Sequence, residues 1–245
     1  MLEIDLSRLR LINPLEEIKV VVIRNYDWNN HIPIRSEPLL RNNILHFDKP
    51  FQIVAPGGNE FRYFDSKSTK FVSEGVENIA YLAPHFHFFL KPDPLKIYKP
   101  YFSAVDFNGL SYYETPEAQD RHTDSDYVRV HFSLESEQAL GTDVYIYGDL
   151  TNWQANEWNF MVYNPERKMY EANLLLKQGL LNYAYATRDY DAEELSFEIT
   201  EGHHAETEND YLVFVYMRSI TGDFDQLVGY KILNTKGKAG MPERK

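Results

Sequence analysis

The feature that most limits what this 245-residue chain can become is the recurrence of short alternating apolar runs broken by turn residues. The first half reads as strands over residues 2–6, Ile18–Arg24, Ile44–Phe47, Glu60–Asp65, Val76–Leu82 and Phe86–Leu90. Runs this short, bounded by Pro, Gly, Asn and Asp, favour strand over helix. Pro14, Pro33, Pro38, Pro50, Pro56 and Pro84 all fall between them, where a missing N–H removes no ladder hydrogen bond. Ile18–Arg24 is nearly apolar on both faces, as in a central strand. No stretch of about 12 residues keeps a 3.6-residue apolar period, so no long amphipathic helix is expected.

A fresh set of alternating runs follows at Tyr127–Leu134, Asp143–Tyr147, Met169–Leu176, Leu181–Thr187, Leu212–Met217 and Gln226–Leu233. The polar segment Glu114–Asp126 between the two sets holds no large apolar residue and reads as a linker. The expectation is an all-β chain of two β-sandwich domains, residues 1–122 and 123–235, with Lys236–Lys245 as a frayed tail. Eighteen Tyr and fifteen Phe fit this, because aromatic side chains suit pleated, half-buried surfaces.

The net charge of −12 argues against nucleic acid, which needs a basic footprint. The absence of cysteine removes disulfides, thiolate nucleophiles and zinc–thiolate sites. No apolar run approaches the roughly 18 residues of a membrane-spanning helix. The opening Met1–Ser7 lacks a basic then apolar leader pattern and reads as a strand.

Chemistry-bearing groupings are few. His85 and His87 lie on one side of a strand, and His203-His204 precedes the acids Glu206, Glu208 and Asp210. Neither has a third ligand at a recognised spacing, so no metal and no cofactor is expected. Carboxylates are plentiful, but there is no Gly-x-Ser-x-Gly elbow, phosphate loop or His-Glu-x-x-His, and the chain is read as non-enzymatic. Asn59–Asp65 mixes charge and aromatics in one strand: Phe61 and Tyr63 share a face, while Glu60, Arg62 and Phe64 share the other. That second face suits either an ion-paired structural seam or a partner-binding surface, and the sequence leaves both open.

Val144–Trp153, Met161–Asn164, Met169–Leu176, Gly179 and Asn182–Tyr185 together resemble the glycogen-binding-like modules of early-set immunoglobulin folds. The resemblance implies that Trp153 caps the sandwich end and that Gly179 permits a turn between adjacent strands. Trp153 matches the first sugar-platform tryptophan of those modules. The basic residue of their Tyr-x-Phe strand is Ala184 here, and the second platform falls near Tyr190. Carbohydrate binding through Trp153 and Tyr190 is therefore the alternative reading, not the leading one.

A longer resemblance covers residues 4 to 234. Its blocks are Asn13-Pro14, Arg24–Asn30, Gly58–Asp65, Asp106–Gly109, Asp126-Tyr127, Tyr147–Trp153, Met161–Asn164, Leu176–Gly179, Glu201-Gly202, Glu206–Tyr211 and Asp225–Tyr230. The series resembles the plug protein family of the type 9 secretion system of Bacteroidetes. The resemblance implies a periplasmic protein that docks on the inner mouth of an outer-membrane translocon barrel and keeps it closed. Full-length members carry a signal peptide and a further N-terminal β domain, so this chain is expected to be a fragment. Candidate partner-binding residues are Glu60, Arg62 and Phe64 of the charged–aromatic strand, and Glu206, Glu208 and Tyr211 of the acidic loop.

Overall fold

A computed structural model describes residues 2–117, 120, 125–220 and 222–236. The strands are, in chain order, β1 (Leu2–Asp5), β2 (Ile18–Arg24), β3 (Asp27–His31), β4 (Leu39–Arg41), β5 (Ile44–Phe47), β6 (Arg62–Asp65), β7 (Val76–Leu82) and β8 (His85–Leu90). They continue with β9 (Asp93–Pro94), β10 (Ser111–Tyr113), β11 (Tyr127–Glu135), β12 (Asp143–Tyr147), β13 (Phe160–Asn164), β14 (Met169–Lys177), β15 (Gly179–Arg188), β16 (Asp210–Met217) and β17 (Gln226–Asn234). Helix among the described residues is confined to α1 (Pro14–Glu17) and a 3-10 turn at Asp149–Thr151. The all-β expectation holds, and the chain forms two compact units: Met1–Pro56 with Glu208–Lys245, and Gly57–Thr207.

The first unit sandwiches two antiparallel sheets, β1-β5-β4 and β17-β16-β2-β3. Leu6, Leu45 and Phe47 form one buried cluster and Val22, Ile32 and Val213 another. Both clusters pack on Leu2, Val20, Ile34 and Ile53, so the two sheets share one core. β2 lies between β16 and β3, the central position that its two apolar faces imply. Two-residue turns set the hairpin registers. Arg24 pairs with Asp27 across Asn25-Tyr26, and Arg41 with Ile44 across Asn42-Asn43. All four turn residues have φ between 50° and 63°, the double left-handed geometry that matches strand twist.

The second unit follows one hydrogen-bonded path, β10-β15-β12-β13-β14-β11-β8-β7, with β6 added to β15 and β9 to β11. Val128, Val130, Phe132 and Leu134 alternate inward along β11. They meet Leu181, Tyr183 and Tyr185 of β15 in a single buried cluster, so the two ends of the path face each other as sandwich layers. Phe64 and Phe132 touch edge to face across that interior at 5.7 Å.

The division expected at residues 122/123 does not match these units. Those residues, and most of the polar segment's middle, lie outside the described residues. The flanking strands β10 and β11, however, both belong to Gly57–Thr207. A polar stretch marks exposure, whereas unit membership follows strand pairing: β8 pairs with β11, and β6 and β10 pair with β15. The C-terminal strands complete the first unit, because β16 pairs along the whole of β2. Of the tail expected to fray, residues 237–245 lie outside the described residues.

Candidate functional site

A densely connected polar grouping of the second unit is built on β6. Gly57 and Gly58 lead into it by a close backbone approach. A β-carbon on Gly57 would lie 2.0 Å from the carbonyl oxygen of His204, and Gly58 has φ +74°. The Gly58 carbonyl accepts from His204 N at 2.8 Å and Thr207 Oγ1 at 2.9 Å, and Asn59 Nδ2 donates to the Glu201 carbonyl at 2.8 Å. These bonds fix the entry to β6, whose register on β15 then sets Arg62 opposite Tyr183.

Arg62 has its side chain only 7% exposed. Its Nε donates to Glu201 Oε1 at 3.0 Å, Nη1 to Asp93 Oδ1 at 2.9 Å and Nη2 to the Pro94 carbonyl at 2.9 Å. The guanidinium also lies over the Tyr185 ring, 5.2 Å from its centroid. Asp93 Oδ2 accepts from both the Tyr183 and Tyr185 hydroxyls at 2.7 Å. Lys96 Nζ stands 3.4 Å from Glu201 Oε2 and donates to the Glu60 carbonyl at 2.8 Å. Two cations thus face two carboxylates, with Arg62 and Glu201 buried and Lys96 and Asp93 half-buried, and the buried Glu60 accepts from the Tyr101 hydroxyl.

The protonation states follow from this packing. Burial pulls the Arg62 pKa down, but Glu201 and Asp93 outweigh it and hold the guanidinium charged. Burial opposes ionisation of Glu201, yet Arg62 and then Lys96 hold its carboxyl below the ordinary carboxylate value. Burial, reinforced by Asp93, pushes both the Tyr183 and Tyr185 hydroxyls well up. The tyrosines stay protonated donors and Glu201 an ionised acceptor near neutral pH, so the cluster ties β6, β9, β15 and the Phe197–Gly202 turn together. Of the two readings open for this strand, the seam is the one observed.

The six candidate partner-binding residues are not brought together. Glu60, Arg62 and Phe64 are buried, Phe64 completely, so none of them presents a face to a partner. Glu206 is exposed in the second unit. In the first unit, Glu208 is half-buried and accepts from Asn234 Nδ2 at 3.0 Å. Tyr211 packs against the Val22–Val213 cluster, and burial raises its hydroxyl pKa against the pull of Arg24. His203 Nδ1 accepts from Gly58 N at 3.3 Å, and the His204 ring lies 5.6 Å from that of Tyr101. Among the described residues no group of three or more His, Asp or Glu converges in metal-binding geometry.

Trp153 is the cap that the sequence implies and not a sugar platform. It is 9% exposed and clustered with Tyr147 and Ala186, with its ring edge-on to Phe61 at 6.1 Å and to Tyr147 at 5.7 Å. Little of the ring is left exposed for a sugar to stack on. Tyr190 is 98% exposed. Gly179 also acts differently from expectation. β14 and β15 are not hydrogen-bonded neighbours, and a β-carbon at Gly179 would sit 2.2 Å from the Tyr112 carbonyl oxygen. Its role is to let β10 approach β15.

Sequence reading missed Asp93, Lys96, Tyr183, Tyr185 and Glu201 as members of the cluster. The available signal was Arg62 itself, since an arginine on the buried face of a strand demands carboxylates from elsewhere in the chain.

No family model matches this chain, and no curated protein matches it. A crystal structure at 2.30 Å resolution of a hypothetical protein from Parabacteroides merdae ATCC 43184 is similar to it, with a TM-score of 0.87 and 27% sequence identity. The similarity covers 95% of this chain and 59% of that protein, so the chain spans somewhat more than half the length of that solved relative.

Proposed function

We propose that this chain is a non-catalytic, periplasmic component of the type 9 secretion system that binds and plugs the inner opening of the outer-membrane translocon. The observation that carries the reading is the coincidence of the resemblance blocks with the joints of the fold. Gly58–Asp65 and Glu201-Gly202 supply the Arg62–Glu201 brace, Leu176–Gly179 the close approach to β10, and Tyr147–Trp153 the end cap. Asp106–Gly109 supports the same end, since Asp106 accepts from Phe61 N and Gly109 lies against the Trp153 ring. A plug acts by shape and rigidity, and these joints serve both.

The surface offered to the translocon must be other than the buried β6 strand. On the first unit, Trp28 is 53% exposed and stacks on Phe214 at 4.9 Å, and Phe214 pairs in register with Tyr230, itself 70% exposed. Rings of this kind are the usual anchors of protein interfaces. The test is capture of the translocon from outer-membrane extract on the tagged protein, with a Trp28→Ser/Tyr230→Ser variant beside it. Capture reduced at least tenfold by the variant supports the reading, and failure of the folded protein to retain the translocon overturns it.

A further inference from the structure

His87 on β8 and His131 on β11 meet across the parallel β8–β11 seam, with Nδ1 of His87 2.8 Å from Nε2 of His131. Their ring centroids are 5.1 Å apart and the rings nearly coplanar in tilt, at 26°. The centroid separation exceeds the nitrogen separation by as much as the two ring radii together, the most that any orientation allows, so the nitrogens face each other head-on. That geometry leaves no room for an ion. A metal in line between them, at about 2.0–2.1 Å from each nitrogen, would need roughly 4 Å between the nitrogens. It fits one N–H donating to one lone pair.

We infer that His87 and His131 hold a single proton between their facing nitrogens, and that protonating both opens the β8–β11 seam and releases the β7–β8 hairpin. The first added proton can sit on the outward nitrogen of one ring and leave the contact intact. The second must place hydrogens on both facing nitrogens, and the bond becomes a repulsion.

The seam is well placed to respond. It has three registered pairs, Arg129 with His87, Val130 with Phe88 and His131 with Phe89, in the less stable parallel arrangement. Phe89 stacks on His131 at 4.4 Å and 12°, which fixes the ring against the partner nitrogen. Among the described residues, the charged and titratable groups on this face are His85 from β8, Glu77 from β7, Arg129 from β11, and Glu171 from β14 with its ion-pair partner Arg167. Arg129 donates to Asn173 Oδ1 at 2.6 Å, beside His131 in register. Burial, then His87 and Arg129, lower the His131 pKa. The unfolded chain therefore takes up this proton first as pH falls below about 6.5, and the folded seam loses stability over that window down to the lowered value.

The experiment is hydrogen exchange on the full chain, with rates corrected for the intrinsic effect of pH, between pH 7.5 and 4.5. Protection of the β8 amides Phe88–Leu90 is expected to fall at least tenfold more than that of β15, and His87→Gln/His131→Gln is expected to abolish the difference. Equal losses in β8 and β15 would overturn the inference. Imidazole ¹⁵N spectra of the unmodified chain supply a test that needs no variant. Two protonation steps separated by more than one pH unit support the shared proton, and two independent titrations near pH 6.5 refute it.

Discussion

Replacing Arg62 by Met tests whether the buried cluster carries the stability assigned to it. Methionine keeps most of the stem volume, so little cavity forms, but the three guanidinium donors to Glu201, Asp93 and Pro94 disappear. Glu201 then keeps Lys96, and the half-buried Asp93 carboxylate loses the cation it pairs with. Breaking a buried pair from one side costs about 3–5 kcal/mol, a large share of the ~5–15 kcal/mol that holds a domain. With an m-value of about 2 kcal/mol per M, the urea midpoint of the second unit should fall by roughly 2 M. In a Trp28→Phe background, fluorescence comes from Trp153 and Trp158, both in that unit. Adding Asp93→Asn leaves Glu201 facing Lys96 as a neutral pair, and this double variant should recover at least half of the loss. Stability due to the depressed Glu201 carboxyl is present above the ordinary carboxylate value and is lost as pH falls through the lowered folded value. Without Arg62, the first of the charges that depress the Glu201 carboxyl is gone, and that acid loss should shrink. A midpoint change below 0.5 M (about 1 kcal/mol), or no recovery in the double variant, would refute the reasoning.

Other consequences are as direct. Gly179→Ala places a β-carbon 2.2 Å from the Tyr112 carbonyl oxygen and should cost about 3 kcal/mol, the upper end of overpacking, read as a fall in urea midpoint. Trp153→Ala empties the end cap and should cost ~3–5 kcal/mol, whereas Tyr190→Ala, at a fully exposed ring, should stay within about 0.5 kcal/mol by the same measurement. Residues 57–207 form a contiguous unit and should give dispersed amide spectra when expressed alone. Residues 1–56 lack β16 and β17 and should not.

Strand existence was the legible part of the fold because period-2 alternation is a local property. Ile18–Arg24, Val76–Leu82 and Asp143–Tyr147 were read with the ends that the structure gives them. Two of the missed strands were either polar or very short. Asp27–His31 carries one apolar ring and Leu39–Arg41 only three residues, and both owe their place to partners. Their hairpin turns were nonetheless written in the chain, since Asn25 and Asn42-Asn43 are residues that tolerate the left-handed geometry. The unit boundary was not legible, because β16 reaches β2 over roughly 190 residues of intervening chain and no local pattern encodes that pairing.

The candidate site was half legible for a related reason. Alternation correctly placed Arg62 and Phe64 on one face of β6, with Glu60 just before the strand, but composition could not say whether that face met solvent or core. The charge pattern alone favoured neither. The deciding residues, Asp93 and Glu201, lie 31 and 139 positions away from Arg62 and come from a proline-flanked pair and a turn, neither of which shows periodicity. Burial of a guanidinium is tolerable only where such carboxylates converge. A charged residue on an otherwise apolar strand face is thus better evidence for distant, unidentified counter-charges within the same unit than for a surface that binds a partner.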